Sequence, residues 1–268
     1  LSLSLSLSLS LSLLSLFLSL SLSHFSLSLS LSPSLSRSRS LSLSSSSYVF
    51  FATGAPLLEE LTVEFYKDAV GRLPTNGMQL INPTISCENI HSLVMRNCLA
   101  VTSITLDACC TALTTITCDG LSSLTDEGIQ SWQELPSIDT IALQSCTLLR
   151  SPMFHSRTLR NLQLNKCPAA PSLMCPQLEI LEVSDGEYPT ELPIAFYELL
   201  IERLVEGCPK LRSLVWRPSK IPNVPIENKA KLLDLPHLVH LELASFPIEF
   251  LSSLHKVPAS LEATILNA

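Results

Sequence analysis

The stretch from Cys87 to Leu121, CENIHSLVMRNCLAVTSITLDACCTALTTITCDGL, writes the pattern L-x-x-L-x-L-x-x-C three times in succession. The copies are Ile90, Leu93, Met95, Cys98, then Val101, Ile104, Leu106, Cys109, then Leu113, Ile116, Cys118, Leu121. Two apolar residues spaced by two are the mark of a short strand with one buried face, because successive strand side chains point to opposite sides. A unit of this size cannot bury its apolar face alone. Copies must therefore stack so that each closes the core of its neighbour.

Further copies begin at Leu58, Ile138, Leu159, Leu178, Leu211 and Leu238, and a shortened one spans Leu261 to Leu266. Three apolar positions alone match by chance in about one window in ten at this apolar content, so the cysteines carry the specificity. Over the nine starts at 58, 90, 101, 113, 138, 159, 178, 211 and 238, the position eight after the start is cysteine in four: Cys98, Cys109, Cys146 and Cys167. The position three before it is cysteine in five: Cys87, Cys98, Cys110, Cys175 and Cys208. Each column would hold about 0.3 by chance. This concentration is the signature of a leucine-rich repeat. The expected fold is an α/β solenoid, with short parallel strands on a concave face and helices and irregular turns on the convex face.

The spacing of starts is 32, 11, 12, 25, 21, 19, 33 and 27 residues. Intervals of 11 and 12 cannot hold a helix, so that region is either thin and built of turn and strand, or one of its copies is not a true strand. The 33-residue interval contains Pro193 to Glu206, PIAFYELLIERLVE, whose apolar residues recur at helical spacing and which stops at Gly207 and Pro209. A second helix is expected to open at Thr125 as N-cap, with Ile129, Trp132 and Leu135 facing inward.

Residues 1–47 are almost pure Leu-Ser alternation, and the first residue is Leu rather than Met. A CT dinucleotide repeat read in phase encodes this alternation, so the tract is expected to be disordered or a gene-model artefact and is set aside from the fold. A hydroxyl at every second position suits neither a signal peptide nor a membrane-spanning helix. Residues 48–268 form the repeat domain. Neither end offers a polar cap, which points to truncation.

A net charge of −7 with 17 scattered basic residues does not make the basic footprint that nucleic acid requires. Nine cysteines in 268 residues, without a usable N-glycosylation sequon, suit a reducing compartment, cytoplasmic or nuclear. No C-x-x-C pair, P-loop or G-x-S-x-G elbow occurs, and His237 and His240 lack a third ligand close in sequence. The expectation is a chain that is not an enzyme and uses no cofactor or metal.

Cys110 to Cys146, CTALTTITCDGLSSLTDEGIQSWQELPSIDTIALQSC, resembles the cysteine-containing leucine-rich repeats of F-box substrate receptors. The segment Leu124 to Gly128, LTDEG, and the CP-x-L openings at Cys175 and Cys208 carry the likeness. The resemblance implies a repeat domain that holds protein substrates for a cullin-based ubiquitin ligase, although the F-box itself is not among these residues. Pro56 to Val63, PLLEELTV, is also similar to the repeats of plant-type intracellular immune receptors. A non-functional gene-model fragment is a further alternative.

On the concave face, residues between and after the core positions look outward. One outward column is Thr62, Val94, Thr105, Thr117, Ala142, Gln163, Glu182, Val215 and Glu242, and the next runs from Glu64 through Arg96, Asp107, Asp119, Gln144, Asn165, Ser184 and Arg217 to Ala244. The residues expected to bind a protein or peptide partner are Arg96, Asp107, Thr117, Asp119, Gln144, Gln163, Asn165, Glu182 and Arg217. Asp107 and Asp119 would give this face an acidic centre suited to a basic or polar peptide.

Overall fold

The computed structural model describes residues 28–30, 38–42, 48–53, 59–64, 80–168, 171–184, 194–217, 231–232, 234–244 and 262–266. Its first strands are β1 (Ser28–Ser30), β2 (Ser38–Ser42), β3 (Tyr48–Thr53), β4 (Glu60–Glu64), β5 (Leu80–Ser86), β6 (Ser92–Arg96), β7 (Thr105–Leu106) and β8 (Thr115–Asp119). A 3-10 helix, Glu127–Glu134, precedes β9 (Thr140–Gln144), β10 (Met153–His155), β11 (Asn161–Asn165), β12 (Ser172–Met174) and β13 (Ile180–Ser184). The α-helix α1 (Ile194–Gly207) leads to β14 (Ser213–Arg217), β15 (His240–Ala244) and β16 (Glu262–Leu266).

Ten of these strands form one long parallel sheet in the order β16-β15-β14-β13-β11-β9-β8-β6-β4-β2. The order follows the chain because every strand pairs with the next one that returns to the same face. Parallel neighbours require a crossover of a dozen or more residues. The crossovers between β2 and β14 lay elements on the opposite side: β3, β5 and β7 in a second sheet with β1, then the 3-10 helix, the pair β10-β12, and α1. The fold is thus α/β, with a many-stranded parallel sheet and few helices.

Between the two layers lies the core. Leu93, Ile116, Ile141, Leu162, Leu181, Leu214 and Leu241 stand in register across the sheet, as do Met95, Cys118, Leu143, Leu164, Val183, Trp216 and Leu243, and all are buried. From the other side come Ile85, Leu106, Ile129, Trp132, Phe154, Leu173, Leu200, Ile201 and Leu204. The indole Nε1 of Trp132 donates to the Ile104 carbonyl at 3.1 Å, so this large side chain is buried without an orphaned donor.

Eight copies starting at 58, 90, 113, 138, 159, 178, 211 and 238 supply strands of the long sheet, and the shortened one supplies β16. The copy starting at Val101 does not. Its strand, β7, pairs with β5 through Thr84↔Thr105 and Ile85↔Leu106 in the second sheet. Eighteen residues separate Arg96 from Thr115, and a chain leaving the long sheet must cross the opposite layer before returning. Val101, Ile104 and Leu106 therefore carry the apolar spacing but fill the core from the other side. The Ile90 and Leu113 copies are consecutive turns, and the 11- and 12-residue spacings vanish into one ordinary repeat length.

The helix read from Pro193 to Glu206 is α1, and its Leu200, Ile201 and Leu204 are buried. The segment after Thr125 is a 3-10 helix rather than an α-helix. Its rise of about 2.0 Å per residue covers the crossover with fewer residues than an α-helix at about 1.5 Å. The N-cap residue is Asp126 rather than Thr125 and makes no side-chain cap bond; Thr125, one residue earlier, accepts from the Gly128 N–H at 3.2 Å and donates to the Thr102 carbonyl at 3.2 Å through its Oγ1.

Two pieces of the Leu-Ser tract, set aside above, lie at the ends of sheets. β2 pairs with β4 from Ser38↔Glu60 to Ser42↔Glu64, and β1 pairs with β3. A period-two sequence is compatible with extended backbone, and an edge strand needs a partner on one side only. The rest of residues 1–47 lies outside the described residues.

Backbone detail repeats with the strands. The carbonyl just before each of seven strands of the long sheet, β4, β6, β8, β9, β11, β13 and β14, accepts two N–H groups from the next turn: Glu59 O from His91 and Ser92, His91 O from Thr114 and Thr115, Thr114 O from Asp139 and Thr140. The series continues through Asp139, Arg160, Glu179 and Arg212. At the other strand end Asn97, Gly120, Ser145 and Lys166 take positive φ, between 53° and 70°. Their left-handed turn swings the next residue, Cys98, Leu121, Cys146 or Cys167, into the core.

Two glycines lie where consecutive turns touch. A Cβ on Gly128 would collide with the Thr102 carbonyl, and one on Gly207 with the Leu173 carbonyl, both backbone atoms of the preceding turn. Gly128→Ala and Gly207→Ala are each expected to cost about 2 kcal/mol or more, since rigid backbone must move to admit the methyl. Urea unfolding checks this, with the exposed Glu127→Ala as a control expected to change little; a near-neutral Gly128→Ala would refute the close approach.

Candidate protein-binding surface

The outward face of the long sheet is built by alternation. Strands such as Ser92–Arg96 and Thr140–Gln144 bury their second and fourth residues and leave the others in contact with solvent. Because every pairing from β4 to β15 is free of register shift, outward residues align into columns across the sheet. Thr117, Gln163 and Glu182 fall in one column, and Arg96, Asp119, Gln144, Asn165 and Arg217 in the next. The structure brings these eight expected residues together on one surface.

Asp107 is not among them. It follows β7 on the opposite side, where its Oδ2 accepts from Ser86 Oγ at 3.0 Å. Thr105, assigned to the outward column of the same copy, leaves with it. The expected acidic centre is therefore lost, and Asp119 instead lies in register between Arg96 and Gln144. Around this one carboxylate Thr115, Thr117, Thr140, Asn161, Gln163 and Asn165 give the outward side of β8, β9 and β11 hydroxyls and amides. Ser184 Oγ donates to Asn165 Oδ1 at 3.1 Å at its border.

Charge gathers on β13, β14 and β15. Arg217 spans both neighbours, with Nη1 3.0 Å from Glu182 and Nε 2.7 Å from Glu242. The hydrogen bond from Arg217 holds the Glu242 carboxyl below its usual range, and the same bond raises the guanidinium. The Glu242 side chain is 13% exposed against 43% for Arg217, so solvent screens this pair less than an open surface pair. Glu242 belongs to the site although only its column position pointed to it. Ile180, 41% exposed, adds an apolar spot from the column one step earlier, which the same alternation makes outward.

The cysteines sort by position. Cys98, Cys146 and Cys167 donate to the carbonyl of the last strand residue, Arg96, Gln144 and Asn165, at 3.4, 3.5 and 3.4 Å. Cys110 and Cys175 donate to Ile85 and Phe154 carbonyls at 3.4 and 3.1 Å. Burial pushes the Cys110 thiol up to about 11 and Cys208 up to about 12, and raises Cys118 and Cys175 as well. The Cys146 thiol is raised first by its hydrogen bond to Cys167 and then by burial. The same bond lowers the Cys167 thiol, which is shielded by its burial instead, while the thiols that are raised stay protonated and are poor nucleophiles. Cys109, displaced from its column with the β7 copy, is half-buried, its Sγ 3.0 Å from Ser86 Oγ. Among the described residues no group of three His, Cys, Asp or Glu side chains is placed to hold a metal ion, and no helix is long and apolar enough to cross a membrane.

Two measurements follow from this chemistry. Native-state titration with a thiol reagent should modify one cysteine quickly, Cys109, and all nine only after unfolding; Cys109→Ser should abolish the fast phase. Several fast thiols would refute the enclosed columns. For Glu242, a carboxyl held below its ordinary range adds stability that is present above that range and is lost as pH falls through its folded value. The stability gap between the wild type and Glu242→Gln should therefore be constant near neutrality and close below pH 4.5, as followed by urea midpoints. A gap that does not change with pH would deny the ion pair its contribution.

No family model, curated protein or solved structure matches the chain.

Proposed function

We propose that this chain is a leucine-rich repeat solenoid of the cysteine-containing type, acting as a protein-interaction scaffold. The observation that carries the reading is the strict alignment of outward columns across successive turns, each framed by the same paired-carbonyl entry and, at four strand ends, the same left-handed exit. Such alignment makes a continuous surface from residues far apart in sequence. Its central hydroxyls and amides offer donors and acceptors to an extended polar segment, and the Arg217 cluster adds a charged end with both signs.

Within that class we favour the substrate-holding region of an F-box-type ubiquitin-ligase receptor. LTDEG supports it in physical terms: Thr125 accepts the Gly128 N–H at the start of the helical segment and Gly128 permits the close approach of the preceding turn. The ligase complex would then be engaged by residues outside this repeat region.

The test uses the full gene product in cells. It should co-purify with a cullin complex, and Gln144→Arg with Gln163→Arg, placed on the outward columns, should reduce the recovered substrate about tenfold while leaving the cullin association unchanged. Recovery of substrate unaffected by the paired substitution would remove the long-sheet face as the binding surface. Absence of any cullin association would remove the ligase assignment and leave the scaffold alone.

A further inference from the structure

We propose that Met153, His155 and Met174 form a surface site for a soft monovalent metal ion of the copper(I) class. The site lies on the layer opposite the long sheet and is independent of the binding face. β10 and β12 are parallel, with His155 directly across from Met174 and Met153 across from Ser172. Phe154 and Leu173 are buried, so alternation turns Met153, His155, Ser172 and Met174 to the outer side. Met153 precedes His155 by two residues, about 6.6 Å along the strand, and Met174 lies one strand away, about 4.8 Å. The strand position of one imidazole thus adjoins those of two thioethers.

The exposure of the two methionines makes this arrangement unusual. Of the chain's four methionines, Met95 is sealed in the core, whereas Met153 is 45% and Met174 61% exposed. Their backbones are nonetheless held. Gln133 Nε2 donates to the Met153 carbonyl at 3.0 Å, and Gly207, at the end of α1, lies against the backbone of Leu173 and Met174. Anchored strands with unbranched side chains of three rotatable bonds let both sulfurs converge on an ion beside the imidazole.

The donor set selects the ion. Thioethers and imidazole suit copper(I), whereas calcium and magnesium require oxygen ligands. The outward positions of this strand pair hold no carboxylate, and Ser172 offers only a neutral hydroxyl. The neighbouring Cys175 thiol is buried and bonded to the Phe154 carbonyl, so it faces the core rather than the site.

The test titrates copper(I) under anaerobic conditions into the full chain, folded and with its accessible thiol alkylated, against a colorimetric copper(I) chelator. The methionine methyl groups are labelled with carbon-13 for NMR. One equivalent should be retained, and the Met153 and Met174 methyl signals should shift while that of Met95 stays in place. Met153→Leu with Met174→Leu, which preserves volume and the circular dichroism spectrum, should weaken retention at least tenfold, as should His155→Gln. Magnesium should shift neither signal. Failure of the thiol-blocked chain to retain copper(I), or equal retention by the folded double leucine variant, would overturn the site.

Discussion

The structure depends on the hydrogen-bonded stacking of one turn upon the next. A strand of five residues with two buried side chains has no stability alone; it becomes part of a core only when neighbours cover both flanks. The carbonyl before each of these seven strands of the long sheet binds two N–H groups of the following turn and sets the register on entry. On exit, the left-handed residues keep the ladder intact: Asn97 N–H donates to Asp119 O, Gly120 to Gln144 O and Ser145 to Asn165 O. A one-residue slip would turn every core side chain to solvent, so these contacts also determine which residues face outward.

That constraint explains the cysteines. After the left-handed turn the chain passes beneath a strand-end carbonyl, where the side chain enters the core within reach of that oxygen. A thiol suits the place, being apolar and a weak donor. Cys98, Cys146 and Cys167 occupy it, and after β8 Leu121 fills it with a larger, purely apolar side chain. A free thiol buried in this way contributes through packing and a weak hydrogen bond, and its enclosure keeps it chemically quiet.

Function, as proposed, is a consequence of the same register. Outward residues that are 19 to 33 positions apart in the chain become neighbours about 4.8 Å apart on the sheet. Apart from Asp119, the middle strands present hydroxyls and amides without the desolvation cost of charge, and the charged positions of β13 to β15 are mutually paired through Arg217. A partner would be held by many modest polar contacts, with specificity carried by their spacing.

Much of this was legible before any coordinates. Apolar spacing and the cysteine columns placed eight strands, their inward residues, α1, the helical segment after Thr125 and eight of nine outward candidates, because alternation and helical periodicity are local properties of sequence. The Val101 copy shows where legibility ended. Val101, Ile104 and Leu106 satisfy the pattern as well as Leu113, Ile116 and Cys118 do, since a core has two walls and either accepts the same apolar spacing. Which wall a segment joins depends on the length of chain needed to cross between layers and on which strand is free to pair. Only the tertiary structure decided that, and with it the removal of Asp107 from the face, the pairing of Arg217 with Glu182 and Glu242, and the meeting of Met153, His155 and Met174 on the opposite layer.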